Sequence, residues 1–149
     1  MEGLAPKLND NSFISFVSNY DFICFTETFM KTFSSKAFPS FTSFVAPAQK
    51  LSRQGRNSGG VIVLVRNVFS SFVRNVSTPY NNIVVLQLAN DLFGTDTDVN
   101  LICTYLNPTD SPFYYQNEFS DGISILDIIE INNEAQFIIC GDLNARTAN

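Results

Sequence analysis

Apolar positions in this chain gather into short dense runs, separated by breaks rich in Ser, Asn and Gly. In "NSFISFVSNY", residues 11–20, Phe13, Phe16, Val17 and Tyr20 recur at helical spacing, so the pattern predicts a short helix facing a core, capped by Asp10 or Asn11. "DFICFTETF", residues 21–29, is an apolar run ending in a polar cluster and reads as a buried strand. Residues 31–58 read as an irregular excursion with one strand around "FTSFVA". "RNSGG" is turn chemistry. It opens "VIVLVRNV", which is too apolar and β-branched to face solvent on both sides. "NNIVVLQLAN" and "VNLICTYLNP" are the next strands, joined by the polar loop "DLFGTDTD"; the second stops at Pro108. "SPFYYQNEFSDGISILDIIEIN" carries apolar positions at 119, 123, 126 and 129 and reads as a helix, weakened by Gly122. "AQFIICGDLN" closes the series as a strand. Strands buried on both faces, with helices before and between them, imply a layered α/β arrangement.

Composition supports a packed interior. Of 149 residues, 45% are hydrophobic and 15% charged, with fifteen Phe and no Trp, which excludes a disordered chain. No apolar run approaches the roughly 20 residues of a membrane span, and the N-terminus lacks the basic and apolar regions of a signal peptide. Cys24, Cys103 and Cys140 each lie in a strand-like run, with no C-x-x-C spacing. They are expected as buried, reduced thiols, neither a disulfide framework nor a zinc site. The expected location is intracellular, cytoplasmic or nuclear, and not secreted.

Three of the most apolar strands end on chemically useful groups: "FICFTE" on Glu27, "LICTY" on Tyr105, and "FIICGDLN" on Asp142 and Asn144. In layered α/β folds the crevice at strand ends is the usual place for a site. Two carboxylates and a carboxamide are hard oxygen donors suited to Mg2+ or Mn2+ beside a phosphate. A tyrosine there can hydrogen-bond a phosphate oxygen or assist proton transfer. Each residue also has an ordinary role: Glu27 as a solvated strand end, Tyr105 as a core aromatic with its hydroxyl at the rim, and Asp142 with Asn144 as an Asx turn. Their recurrence at three separate strand ends favours the site.

Charge is unevenly distributed along the chain. The net charge is −5, yet residues 28–90 hold seven of the nine basic residues and no acid. Such a block marks either a polyanion-binding face or a chance division of a mixed surface.

The segments "EGLAPKL" (2–8), "YDFICFTETF" (20–29), "GRNSGGVIVLVR" (55–66), "YLNPTDSPFY" (105–114) and "FIICGDLNART" (137–147) together resemble the exonuclease–endonuclease–phosphatase superfamily. Within it, the chain looks most like the endonuclease domain of LINE-like, non-LTR retrotransposons. The resemblance covers nearly the whole chain and implies an α/β (α+β) fold, part of a four-layer α-β-β-α sandwich. It also implies hydrolysis of a phosphodiester with Mg2+ or Mn2+, DNA as partner, and a reverse transcriptase domain in the intact element. By motif position, Glu27 would bind the metal and Tyr105 would contact the scissile phosphate. Asp142 would orient the attacking water, and Asn144 would stabilise the pentavalent phosphate. Arg53, Arg56 and Arg66 would meet the nucleic-acid backbone.

The departures from the family pattern shape the functional expectation. The family's first asparagine would fall just before Met1. Its later Asp/Asn pair and closing Ser-Asp-His have no counterpart, and the chain contains no histidine. The expectation is therefore a partial domain over 1–149, truncated at both ends, with an incomplete second sheet and little or no DNA-nicking activity. The alternatives are a phosphatase of small phosphorylated molecules or lipids, and a non-catalytic module that holds nucleic acid through the basic window.

Overall fold

The computed structural model describes residues 3–50, 55–78, 80–108, 121–131 and 135–144. Its helices are α1 (Leu4–Lys7), α2 (Asn11–Val17) and α3 (Asp121–Ile131). Its strands are β1 (Phe22–Phe25), β2 (Phe41–Ala46), β3 (Val61–Arg66), β4 (Val73–Val76), β5 (Ile83–Leu88), β6 (Val99–Tyr105) and β7 (Gln136–Asp142). They form a three-stranded sheet, β1-β3-β2, and a four-stranded sheet, β4-β5-β6-β7. All pairings are antiparallel except β6 with β7, which run parallel on either side of α3.

The continuous apolar runs follow from this layering. Along β3, Val61, Val63 and Val65 point between the sheets, while Ile62 and Leu64 pack outward with Leu4 and Val17 of α1 and α2. Along β5, Val84, Leu86 and Leu88 face the interlayer, while Ile83 and Val85 meet Ile125 and Ile128 of α3. Period-2 alternation is invisible when both faces are buried. Each such Val, Leu or Ile side chain contributes about 1.5–3 kcal/mol of transfer free energy. The result is four layers: helices, sheet, sheet, helix.

Helix α2 is capped by Asp10, whose Oδ1 accepts from the amides of Ser12 (2.9 Å) and Phe13 (3.3 Å). It ends after Val17, where the Asn19 side chain donates to the carbonyls of Ser15 and Phe16, both at 3.2 Å. The buried stripe is Phe13, Ile14 and Val17. Phe16 and Tyr20, expected in the core, are instead 61% and 52% exposed and pack edge-to-face on each other. At about 100° per residue, Phe16 lies outside the arc spanned by 13, 14 and 17. Helix α3 shows a similar rotation. Ile125 and Ile128 are buried and Ile129 packs beside them, while Leu126 is 57% exposed. Positions 119 and 123 of the expected stripe lie outside the residues whose side chains are described.

Two elements escape the hydrophobic pattern. Helix α1 is a single turn, and β4 ("VRNV") is an edge strand with an exposed centre. The expected strand at 61–68 ends at Arg66, and residues 67–72 form a 3-10 turn leading into β4. At the opposite edge of that sheet, Ile138 and Ile139 of β7 are 45% and 42% exposed on its two faces, so among the described residues the sandwich is incomplete there. Among the described residues, no helix is long and apolar enough to cross a membrane.

Candidate functional site

Strand β1 ends at Phe25, and the chain turns through Glu27, whose φ is 49°. Phe29 follows with φ 56°. Left-handed geometry at such residues costs on the order of 1–3 kcal/mol each, so surrounding structure must hold it. Several bonds do so. The amides of Thr28 and Phe29 donate to the carbonyls of Gly60 (3.2 Å) and Gly59 (3.0 Å). The Asn57 side chain donates to the Phe29 carbonyl at 2.9 Å, and the Leu4 amide to the Thr28 carbonyl at 3.4 Å. The "RNSGG" turn is thus the seat of the Glu27 segment. Arg56 lays its guanidinium over the Phe29 ring, 4.8 Å from the centroid.

Tyr105 closes β6 and is 4% exposed. Its hydroxyl donates to Oε1 of Glu27 at 2.7 Å, a bond from one sheet to the turn leaving the other. Burial pushes the Tyr105 hydroxyl well above its ordinary range, helped by the bond to Glu27 and the charges of Glu27 and Asp142, with Asn144 opposing. It therefore stays protonated at neutral pH and acts as a donor.

Asn82, in left-handed geometry at φ 57°, links the two sides. Its Oδ1 accepts from the Gly60 amide and its carbonyl from the Tyr105 amide, each at 3.0 Å. A Cβ at Gly59 would run into the Asn82 side chain, so glycine is required there.

Strand β7 brings the last two residues. Asp142 is the parallel register partner of Tyr105. Gly141 has φ 132°, and a Cβ there would overlap the Thr104 carbonyl, so the glycine lets the strand approach β6 before the aspartate. The Asn144 amide donates to Oδ1 of Asp142 at 2.9 Å, an Asx turn. The Asn144 side-chain nitrogen donates to the Leu106 carbonyl at 2.6 Å, and the Leu106 amide to the Asp142 carbonyl at 2.9 Å. The turn reading is met, and these bonds hold Asp142 and Asn144 beside the end of β6.

Glu27, Tyr105, Asp142 and Asn144 lie together on one rim. Arg56 lies on the same side, through Phe29. Arg66 does not. It stands at the other end of β3, bound to Asp21 at 2.6 Å and to the carbonyls of Ser18 (2.7 Å) and Tyr20 (3.1 Å), over the Phe41 ring. Those bonds tie the end of α2 to the sheet and set Arg66 apart from the rim. Arg53 lies outside the described residues. Sequence reasoning missed Thr28 and Asn82, which are 1% and 3% exposed. Asn82 heads a strand in "NNI", where asparagine reads only as a turn residue. The donors at the rim are all oxygens, a set that fits a hard divalent cation.

A family model described as "Endonuclease/Exonuclease/phosphatase family" matches residues 2–148. An AP endonuclease structure from Archaeoglobus fulgidus superposes with a TM-score of 0.60 at 13% identity, over 97% of this chain and 55% of that one. TDP2 from Caenorhabditis elegans superposes with a TM-score of 0.56 at 18% identity, over 96% of this chain and 43% of that one. The chain thus spans about half the length of the solved structures it matches. No curated protein matches the sequence.

Proposed function

The chain belongs to the endonuclease/exonuclease/phosphatase family, and on that premise we propose that its rim serves metal-assisted hydrolysis of a DNA phosphodiester, as in the endonuclease of a LINE-like, non-LTR retrotransposon. Members of the family are generally divalent-metal dependent. The observation that carries the reading is the 2.7 Å bond from Tyr105 to Glu27, which joins both sheets at the rim beside Asp142 and Asn144.

The roles follow from the chemistry of each group. Glu27 would hold Mg2+ or Mn2+, which supplies Lewis-acid neutralisation of charge on phosphate oxygens. The protonated Tyr105 hydroxyl, which donates to Glu27 in the resting chain, would turn its single proton to a phosphate oxygen once the Glu27 carboxylate holds the cation. Asp142 accepts a hydrogen bond from the attacking water and orients it. The Asn144 carboxamide donates to the charge-bearing oxygens. Arg56, with Arg53 in the same basic block, neutralises neighbouring phosphates. A reverse transcriptase domain is the proposed companion in the intact element.

These 149 residues include no histidine, so they themselves offer the rim no imidazole for proton transfer. Loss of such a group slows catalysis by about 10²–10⁴-fold. Turnover by these 149 residues alone is accordingly slow. The test is supercoiled-plasmid relaxation with the chain in excess and Mg2+ present. Slow relaxation that is lost in Asp142→Ala and without metal is expected. Relaxation that survives Asp142→Ala or removal of the metal, or preferential hydrolysis of phospholipid head groups, contradicts the reading.

A further inference from the structure

Cys24, Cys103 and Cys140 share no sequence motif and come from three strands in two sheets, yet their sulfurs all lie within 4.8 Å of one another. Cys103 and Cys140 are register partners on parallel strands, with sulfurs 3.3 Å apart. Cys24 reaches them from β1 across the interlayer. All three are free thiols. Three thiolates around one ion, at a metal–sulfur distance of about 2.3 Å, stand about 4.0 Å apart in a trigonal plane. The observed trio needs only side-chain adjustments to reach that spacing.

We propose that these three cysteines form a site for one soft divalent cation of the zinc and cadmium type, bound through three thiolates. Sulfur donors select soft ions over Mg2+. The surrounding cluster is apolar, including Val63, Val84 and Leu101. Buried net charge is costly there, which favours a divalent ion with three thiolates over a monovalent one. Cys103 is fully buried while Cys24 and Cys140 are half-buried, so an ion enters from the edge where β1 faces β7. Binding forms three metal–sulfur bonds, breaks the S–H bonds of Cys24, Cys103 and Cys140, and releases three protons to solvent.

The position of the trio gives the site a consequence. Cys103 and Cys140 stand two residues before Tyr105 and Asp142 on the same strand faces, and Cys24 three before Glu27. The thiols form a second tier beneath the rim, and an ion there clamps the strands that carry it.

The test is anaerobic titration of the reduced 149-residue chain with Cd2+ in excess Mg2+, reading thiolate-to-metal charge-transfer absorbance and proton release. Saturation at one Cd2+ per chain with about three protons released is expected. The half-buried Cys24→Ser, checked for folding by circular dichroism, should lose about a third of the band, one thiolate of three. Glu27→Gln should leave the titration unchanged, which separates this site from the rim. No charge-transfer band in the folded chain, or a Cys24→Ser band equal to that of the parent, overturns the proposal.

Discussion

The Tyr105 hydroxyl lies 2.7 Å from Oε1 of Glu27 and donates to it, tying the end of a strand in one sheet to the turn that leaves the other. The pair is both a structural tie and the centre of the rim. A hydrogen bond to a charged group contributes about 1.5–3 kcal/mol. Tyr105→Phe keeps the ring and removes the tie, so urea unfolding at neutral pH should show a loss in that range.

The same pair predicts a pH dependence. Tyr105 has a folded-state pKa raised above its ordinary value of 10.0. The folded state therefore holds its proton where the unfolded state has lost it. The corresponding stability is fully present below about pH 10 and is lost as pH rises through the folded-state value. Tyr80, raised by its bond to Asp127, titrates in the same direction, so the comparison must be between variants. Unfolding midpoints from pH 8 to 11 should fall more steeply in the parent than in Tyr105→Phe.

Gly141 is held at φ 132° against the Thr104 carbonyl. Gly141→Ala forces β7 away from β6 and should cost on the order of 1–3 kcal/mol from backbone strain alone. Chemical denaturation measures the loss, and an unchanged midpoint would show that β7 does not approach β6 as described.

Asn82→Ala removes the acceptor of the buried Gly60 amide. The orphaned donor should cost about 1–3 kcal/mol. Asn82→Gly relieves the left-handed backbone but not the lost bond, so it should recover only part of the stability. Full recovery would mean that φ alone selects this residue.

Leu64 is fully buried in the layer beneath α1 and α2. Leu64→Ala should cost about 2–5 kcal/mol through lost transfer energy and a cavity.

Much of this fold was legible in the sequence because burial on both faces leaves an unmistakable trace: "VIVLVR", "IVVLQL" and "VNLICTY" are all strands. The placement of Glu27, Tyr105, Asp142 and Asn144 at strand ends was readable in the same way, whereas the four layers were implied only by the family resemblance. Helical faces were less so, since a one-residue rotation exposes Phe16 or Leu126 without changing composition. The partners of Arg66, Asp21 and the carbonyls of Ser18 and Tyr20, were not legible because they are brought to it only by the pairing of β1 with β3. Asn82 and the thiol cluster were hidden for the same reason, being assembled across strands with no local spacing to mark them.

The central claim is that Glu27 and its rim companions hold a hard divalent cation, and titration of the chain with Mn2+, followed by loss of the free-ion electron paramagnetic resonance signal, tests it most directly. One bound Mn2+ that is displaced by Mg2+ and lost in a folded Glu27→Gln variant is the predicted result. Mn2+ binding that is absent from the parent, or unchanged in Glu27→Gln, would contradict it.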